Sequence, residues 1–505
     1  MPGPIPSRTS GVLLHPSSLP GRDGIGTLGR QAVDFLDWLV AADVGMWQVL
    51  PLTLNLSDNK PYFAESAFAG NIWLVDLEGL VDASLLAETE LTGALHEHEH
   101  AAPVRFDELR ARKLPLLRRA GDRLLHDADH PWRAGYDRFV EQSEWLIDTC
   151  TYFALGERFD DRPWWEWPAG VMRREQDALA AIAPEIAVEV ERWQAVLYLF
   201  EVQWGRLRRE AADRGITIFG DLPIYVAANS AEVWLHQDQF DLDDDGRMIT
   251  QSGVPPDYFS EAGQLWRNPL YRWDIMADDG YAWWLSRLRR CLELTDIVRI
   301  DHFRALSAYW EVPGDADTAL GGRWVDGPGQ AFFDAVRAHF PSFPFVAEDL
   351  GTLDDDVYEL RDDNGLPGMR VIQFGFDGTP DNPHLSGRYP EACIAYTGTH
   401  DNQPIAAWWM SLDEAARADV GAYYQHGADA APGRATWSFI EAAYASNAVA
   451  AVVPVQDLLV LDDRARMNDP SIDVGNWSWR MPVGALSPDL AWSLRSLAER
   501  YGRAR

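Results

Sequence analysis

The chain has 505 residues, 47% of them hydrophobic, and a formal net charge of −34. That is enough apolar material for one large core, and no run of about eighteen apolar residues marks a membrane span. So acidic a surface repels phosphate backbones and anionic lipid, which argues against nucleic-acid and membrane partners.

The opening stretch "MPGPIPSRTS" lacks an apolar signal core, so the sequence predicts a cytoplasmic protein. Its three cysteines, Cys150, Cys291 and Cys393, are odd in number and scattered, and fit neither a disulfide framework nor a metal site. The first apolar run, "GVLLHPSSLPG", ends at His15, and the second, "MWQVLPL", ends near Pro51. A helical pattern, "QAVDFLDWLVAADV", lies between them. A long gap follows, with segments such as "FDELRARKLPLLRRAGDRLL", and predicts a mainly helical insertion over residues 54–212.

The third run, "GITIFGDLPIY", presents Asp221. A smaller insertion is expected over residues 225–290. It contains "DLDDDGR", which lacks the full ligand series of a calcium loop and reads as a solvated turn. Five more runs present polar residues at their ends: "TDIVRIDHFR" (Asp301), "FPFVAEDLG" (Glu348), "MRVIQFGFD" (Gln373 and Asp377), "CIAYTGTHDN" (Asp401) and "AVVPVQDLL" (Gln456 and Asp457). Continuous apolar runs read as strands buried on both faces, and helical patterns separate many of them. Eight such units predict an α/β fold. The chain is read as a single (β/α)8 TIM barrel over residues 1–505, with its active site at the C-terminal strand ends.

Charge at those ends narrows the chemistry. Arg299 and Asp301 are two apart on a strand and point to one face, where the cation keeps the carboxylate ionised. Glu348 follows "FPFV" in less polar surroundings, and burial raises a carboxyl pKa, as a proton donor requires. Asp401 supplies a third carboxylate. Each alone is as readily a helix cap or a local pair. Three together, with no metal-type His cluster, fit glycoside chemistry. Clusters of Trp with polar neighbours, "RPWWEWP", "AGQLWRNPLYRW" and "NWSWR", offer flat surfaces for sugar rings, although most of the 23 Trp fit a core.

Taken together, "GVLLHPSSLPG", "WQVLPL", "SAFAGN", "FGDLPIYVA", "VPPDYFSEAGQLWRNPLYRW", "VRIDHFR", "AEDLG", "LPGMRVIQFGF", "YTGTHDN", "PVQDLL", "RMN" and "NWSWR" resemble the amylomaltases, the 4-α-glucanotransferases of glycoside hydrolase family 77. The resemblance runs from about Gly11 to Met481. It implies an α-amylase-type barrel with helical insertions, no separate C-terminal β-domain and no cofactor or metal. It also implies retaining transfer from an α-1,4-glucan or maltooligosaccharide donor to a saccharide acceptor, through a covalent glycosyl-enzyme intermediate. By matching motif, Asp301 would be the nucleophile and Glu348 the general acid/base. Asp401 would grip the donor sugar's hydroxyls. Arg299, His302, His400, Asp221 and Tyr62 would line the same subsite, with Asn402 and Asn468 beside it. Tyr258, Phe259, Gln264 and Trp266 would belong to a loop that closes over the glucan. A hydrolase with water as main acceptor, and a catalytically weak glucan-binding homologue, remain alternatives at this point.

The sequence departs from the family pattern near the implied site. Glycines expected after "WQVLPL" are replaced in "TLNLSDNKPYFA", which brings in Lys60, one of only two lysines. Arg267 stands for a Gly between Trp266 and Asn268. Ala305 and Leu306 follow "DHFR" where Gly-Phe is usual. Gln403 and Pro404 follow "THDN", and Pro470, Ser471 and Ile472 follow "RMN" with one residue between. Lys60, Arg267 and Gln403 are therefore candidates for an altered substrate preference. Drift after lost function is the other reading, and so is local pairing of Lys60 and Arg267 with Asp58, Glu65 or Glu261.

Overall fold

The computed structural model describes residues 5, 7–55, 59–96, 101–256, 262–351, 353–472 and 474–505. Twelve strands fall among them. In chain order they are β1 (Thr9–Leu13), β2 (Met46–Gln48), β3 (Thr217–Leu222), β4 (Thr250–Val254), β5 (Gln264–Pro269), β6 (Ile297–Ile300), β7 (Ala308–Pro313), β8 (Arg323–Asp326), β9 (Phe345–Ala347), β10 (Gly368–Val371), β11 (Cys393–Tyr396) and β12 (Ala450–Pro454).

Eight of these form one all-parallel sheet in the order β10-β11-β12-β1-β2-β3-β6-β9. The Ala347 N–H donates to the Pro367 carbonyl at 2.9 Å and joins the two ends, so the sheet closes into a barrel. These are the eight apolar runs of the sequence. Their side chains alternate between two apolar surroundings. Leu13, Met46, Phe219, Ile297, Val346, Met369, Ile394 and Val452 fill the interior. Val12, Trp47, Ile218, Val298, Phe345, Ala395 and Val453 face the surrounding helices. Burial on both faces is why the runs are continuous rather than alternating. At Gly11 a Cβ would meet Val452 Cγ2 at 3.0 Å and Met46 Cβ at 3.3 Å, so a side chain there would press on the neighbouring strands.

Between β2 and β3 the chain is helical, with long helices at Phe106–His126, Leu146–Arg158 and Gln176–Asp213. The last is about 57 Å long at 1.5 Å per residue. Its final turns bury Trp204, Leu207 and Ala211, and the Trp204 indole N–H donates to the Leu294 carbonyl at 2.9 Å. That helix starts among the other helices and ends as part of the barrel wall. Helix Ala282–Leu294, which overlaps the end of the 225–290 segment, leads directly into β6.

The other four strands make an antiparallel sheet, β5-β4-β7-β8. The chain reaches it from the C-terminal ends of β3 and β6, so it stands at the barrel mouth. The sequence reading placed nothing at β7 and β8. In "DLDDDGR", Asp243 Oδ1 accepts the N–H groups of Asp245 and Arg247 at 3.0 and 2.8 Å, which makes an exposed turn. Among the described residues no helix is long and apolar enough to cross a membrane.

Candidate active site

The C-terminal ends of β3, β6, β9 and β11 bring Asp221, Asp301, Glu348 and Asp401 to one mouth, with Arg299 beneath them. Arg299 and Asp221 are nearly fully buried, and Arg299 Nη1 donates to both Asp221 oxygens at 2.8 and 2.7 Å. Arg299 Nη2 lies 2.7 Å from Asp301 Oδ1. Although burial acts to lower its pKa, the Asp221 and Asp301 charges hold the guanidinium well above its ordinary value. The Tyr62 hydroxyl donates to Asp221 Oδ2 at 2.7 Å. The arrangement fixes the position of Asp301 from below and leaves its upper side toward the cleft.

His302 follows Asp301 in the left-handed region, at φ 49°. That turn, unusual for a residue with a Cβ, aims the His302 N–H at Glu348 Oε2, 2.6 Å away. Glu348 Oε1 accepts the Leu350 N–H at 3.0 Å. Enclosure in the cleft pushes the Glu348 carboxyl up to about 8, against the pull of Arg299 and with the push of the Asp301 charge. Two neighbouring carboxyl groups thus differ in kind. One is tied to a guanidinium, and the other is favoured in its protonated form at neutral pH. A nucleophile and a proton donor require such a difference.

The remaining groups surround this pair. Enclosure, with Arg304 nearby, lowers the His302 imidazole to about 3, so it is neutral. Its ring meets Trp266 edge-on at 4.6 Å. Trp266 in turn donates its indole N–H to Gln264 Oε1 at 3.2 Å. On the other side the Tyr62 ring stacks on His400 at 5.2 Å and 11°, with Trp477 against both. Asp401 Oδ1 accepts from Asn468 Nδ2 at 2.6 Å and lies 3.4 Å from His400 Nε2. Its Oδ2 accepts no bond among the described residues and is available to a sugar hydroxyl.

Other residues singled out in the sequence make contacts within the protein. Asn402 turns its Oδ1 back to Thr399, accepting from the backbone N–H at 2.8 Å and the hydroxyl at 2.9 Å, so it shapes the loop that presents Asp401. Gln403 accepts at its backbone carbonyl from Gln373 Nε2 at 2.7 Å. Asp457 is buried. It accepts from Thr397 Oγ1 at 2.5 Å and the Ile405 N–H at 2.7 Å, which ties β12 to the loop after β11. In "RPWWEWP", Trp164 and Trp167 are buried core residues, with both indole N–H groups on backbone carbonyls. Tyr258 and Phe259 lie outside the described residues, as do Asp58 and Glu261.

Two residues at the site were passed over individually. Arg466 donates to the Asp401 carbonyl from Nε at 3.1 Å and from Nη2 at 2.6 Å. Trp477 packs on Tyr62 and His400. Both lie in stretches already singled out, "RMN" and "NWSWR". The signal was present, and only the partner across the barrel was missing.

Lys60 sets its ammonium 5.6 Å from the Phe63 ring centroid. Arg267 is exposed, at φ 58°, with no ion pair or hydrogen bond to its side chain among the described residues. Among the described residues no group of His, Cys, Asp and Glu is arranged to hold a metal ion.

A guanidinium-bound carboxylate beside a second carboxyl raised by enclosure, at the mouth of a parallel (β/α)8 barrel, fits a class of proteins that break and remake glycosidic bonds. A family model described as 4-alpha-glucanotransferase matches residues 14–486. The 4-alpha-glucanotransferase of Thermus thermophilus is 42% identical over 500 residues, covering 97% of this chain and 98% of its own. The chloroplastic/amyloplastic 4-alpha-glucanotransferase of Arabidopsis thaliana is 40% identical over 509 residues, covering 100% of this chain and 87% of its own. An amylomaltase from Streptococcus agalactiae, solved in complex with acarbose, superposes with a TM-score of 0.94 at 34% identity, covering 99% of this chain and 100% of its own. The chain belongs to the 4-alpha-glucanotransferase family, glycoside hydrolase family 77.

Proposed function

We propose that this family member transfers α-1,4-linked glucosyl or maltooligosyl units from a glucan donor to a saccharide acceptor with retention of configuration. Asp301 attacks the anomeric carbon while Glu348 protonates the leaving oxygen. The covalent glycosyl-enzyme then yields to an acceptor hydroxyl, which the ionised Glu348 deprotonates. Asp401, with its free Oδ2, holds donor hydroxyls, and Tyr62 and Trp266 supply apolar faces for the sugar rings. The observation that carries this reading is the pair itself. Arg299 holds Asp301 at 2.7 Å, while enclosure raises its neighbour Glu348 to about 8. Hydrolysis is the less favoured outcome, since the curated relatives carry the transferase name. A cytoplasmic location is part of the proposal, supported by three cysteines that are all unpaired thiols.

The test is incubation with maltotriose and separation of the products. Glucose together with longer oligomers is the expected pattern. Glucose and maltose alone would make water the acceptor, and no turnover would leave a glucan-binding protein. Asp301→Asn should lower turnover on the order of 10⁴-fold or more while oligosaccharide binding persists. In a ligand complex the Asp301 and Glu348 carboxyls should stand about 5–5.5 Å apart, and a separation in the inverting range of about 6.5–9.5 Å would overturn the assignment.

A further inference from the structure

Helix Pro432–Ala445 has two working faces. Ala435, Phe439, Ile440, Ala443 and Tyr444 are buried and pack on the barrel. Arg434, Trp437, Ser438, Glu441 and Ala445 recur at helical spacing on another side. That side lines a surface groove of about 270 Å³, with Tyr423 and Gln425 contributed by the end of helix Glu414–Tyr423 and the turn after it. The helix precedes β12 directly, so the groove runs along the outer wall of the barrel, away from the carboxylates at its mouth.

The lining is unusual in what it leaves unused. Most arginines of this chain are engaged in ion pairs or on carbonyls, but the Arg434 guanidinium makes neither contact among the described residues. The Gln425 amide and the Trp437 indole N–H likewise donate to no group there, and Trp437 meets no other ring. Gln425 stands at φ 59°, in a turn that follows Tyr423 and Tyr424 directly. Tyr423 is 41% exposed. Glu441 is already satisfied, by Arg500 at 3.0 Å and the Tyr501 hydroxyl at 2.7 Å. Ser438 spends its hydroxyl proton on the Ala435 carbonyl at 2.7 Å. The groove therefore combines the aromatic side chains of Tyr423, Tyr424 and Trp437 with three unspent donors, one of which, Arg434, is an unpaired cation.

That combination matches a neutral polyhydroxylated chain. Aromatic side chains suit the C–H faces of sugar rings, and donors suit their hydroxyl and ring oxygens. An anionic ligand would have one guanidinium to meet, beside Glu441 and on a chain of net charge −34. We propose that this groove is a second, non-catalytic α-glucan-binding site, which holds long donor chains while their ends are processed at the barrel mouth. The inference rests on the proposed glucanotransferase reading for its choice of ligand.

The test separates binding from turnover. In native gels containing soluble glycogen, Asp301→Asn protein cannot consume the glucan, so retardation reports binding alone. Adding Arg434→Ala and Trp437→Ala should weaken that retardation about fivefold in apparent Kd. Ala445→Trp, an exposed position at the groove's end, should reproduce the loss by filling the space. With Asp301 restored, the Arg434→Ala/Trp437→Ala enzyme should show a raised KM for glycogen and an unchanged kcat/KM for maltotriose. Equal retardation of the parent and both groove variants would overturn the proposal. If wild type fails to turn over maltotriose yet the groove variants still lose retardation, the reaction assignment falls and the groove stands.

Discussion

Arg299 holds Asp221 through a single amino nitrogen, at 2.8 and 2.7 Å from its two oxygens, and both side chains are nearly fully buried. The other amino group is thereby left for Asp301. The contact that orders Asp301, the proposed nucleophile, thus depends on a second carboxylate beneath it. Breaking a buried pair from one side costs about 3–5 kcal/mol, because the remaining charge is stranded. Arg299 would keep Asp301 after Asp221→Ala, so the loss should fall near the lower end of that range in urea denaturation. Freed from Asp221, the guanidinium would swing and the Tyr62 hydroxyl would lose its acceptor. A drop of about a hundredfold in kcat/KM for maltotriose is expected, since small misplacements of reacting groups carry penalties of that size. Unchanged stability together with unchanged activity would dissolve the argued linkage.

In the proposed mechanism Glu348 sets the alkaline limit of the reaction. Its first task there is to give a proton to the leaving oxygen, so the free enzyme must carry the protonated form. With the carboxyl raised to about 8, kcat/KM should hold through neutrality and fall as pH rises past that value. Glu348→Gln should lose about 10²–10⁴-fold. Stability follows the same proton. The folded state keeps it between the ordinary glutamate value and about 8, where the unfolded chain has released it, so this contribution is complete at low pH and is lost as pH rises through that window. Glu348→Gln has no such dependence. Its thermal midpoint should therefore gain on wild type as pH is raised from about 5 to about 9. Parallel midpoints across that range would show that the carboxyl is not raised.

The barrel was legible in the sequence because its strands are buried on both faces. Runs such as "DIVRI" and "FPFVA" carry no competing pattern. The β7–β8 hairpin was not legible, for the complementary reason. The burial of β7 alternates irregularly and β8 is largely exposed, so "AYWEVP" and "RWVD" carry little periodic signal. Of the site, Arg299 and Asp301 could be paired from their spacing alone. The aim of the His302 N–H at Glu348 could not, because it depends on a left-handed turn that no neighbouring glycine announces. Nor could the contact from Asn402 Oδ1 to Thr399, three residues away, which only the loop's shape decides.

Lys113 and Asp23 make a buried ion pair at 2.9 Å, with side-chain exposures of 1% and 3%. It fastens helix Phe106–His126 to the loop that follows β1. Asp76 lies close enough that burial and the Asp23 charge together raise its carboxyl to about 6. Lys113→Met would leave Asp23 uncompensated beside a second carboxyl. A loss of about 3–5 kcal/mol is expected in denaturant titration at neutral pH. The double change Lys113→Met/Asp23→Leu should recover most of that loss, since an apolar pair of similar size replaces a desolvated ionic one. If the double variant is as unstable as the single one, packing rather than charge governs this contact.

Arg267 stands one residue from Trp266, whose ring meets His302 at 4.6 Å, and Lys60 stands two residues before Tyr62, whose ring stacks on His400 at 5.2 Å. Two cations are thus carried by the segments that supply the site's aromatic faces. Arg267 occupies φ 58°, a conformation that costs a residue with a Cβ about 1–2 kcal/mol. A glycine there would relieve that strain but would lose about 0.5–1 kcal/mol to its greater freedom in the unfolded chain. Arg267→Gly should therefore leave stability nearly unchanged, and any change in activity then reports the side chain itself. The expected outcome is a change in acceptor ranking. Wild type should favour phosphorylated or carboxylated saccharides over neutral ones at low salt, and the preference should fade as ionic strength rises. Arg267→Gly and Lys60→Ala should each flatten that preference and improve use of long neutral glucan. An acceptor ranking and salt dependence identical in all three proteins would show that these cations take no part in choosing the substrate.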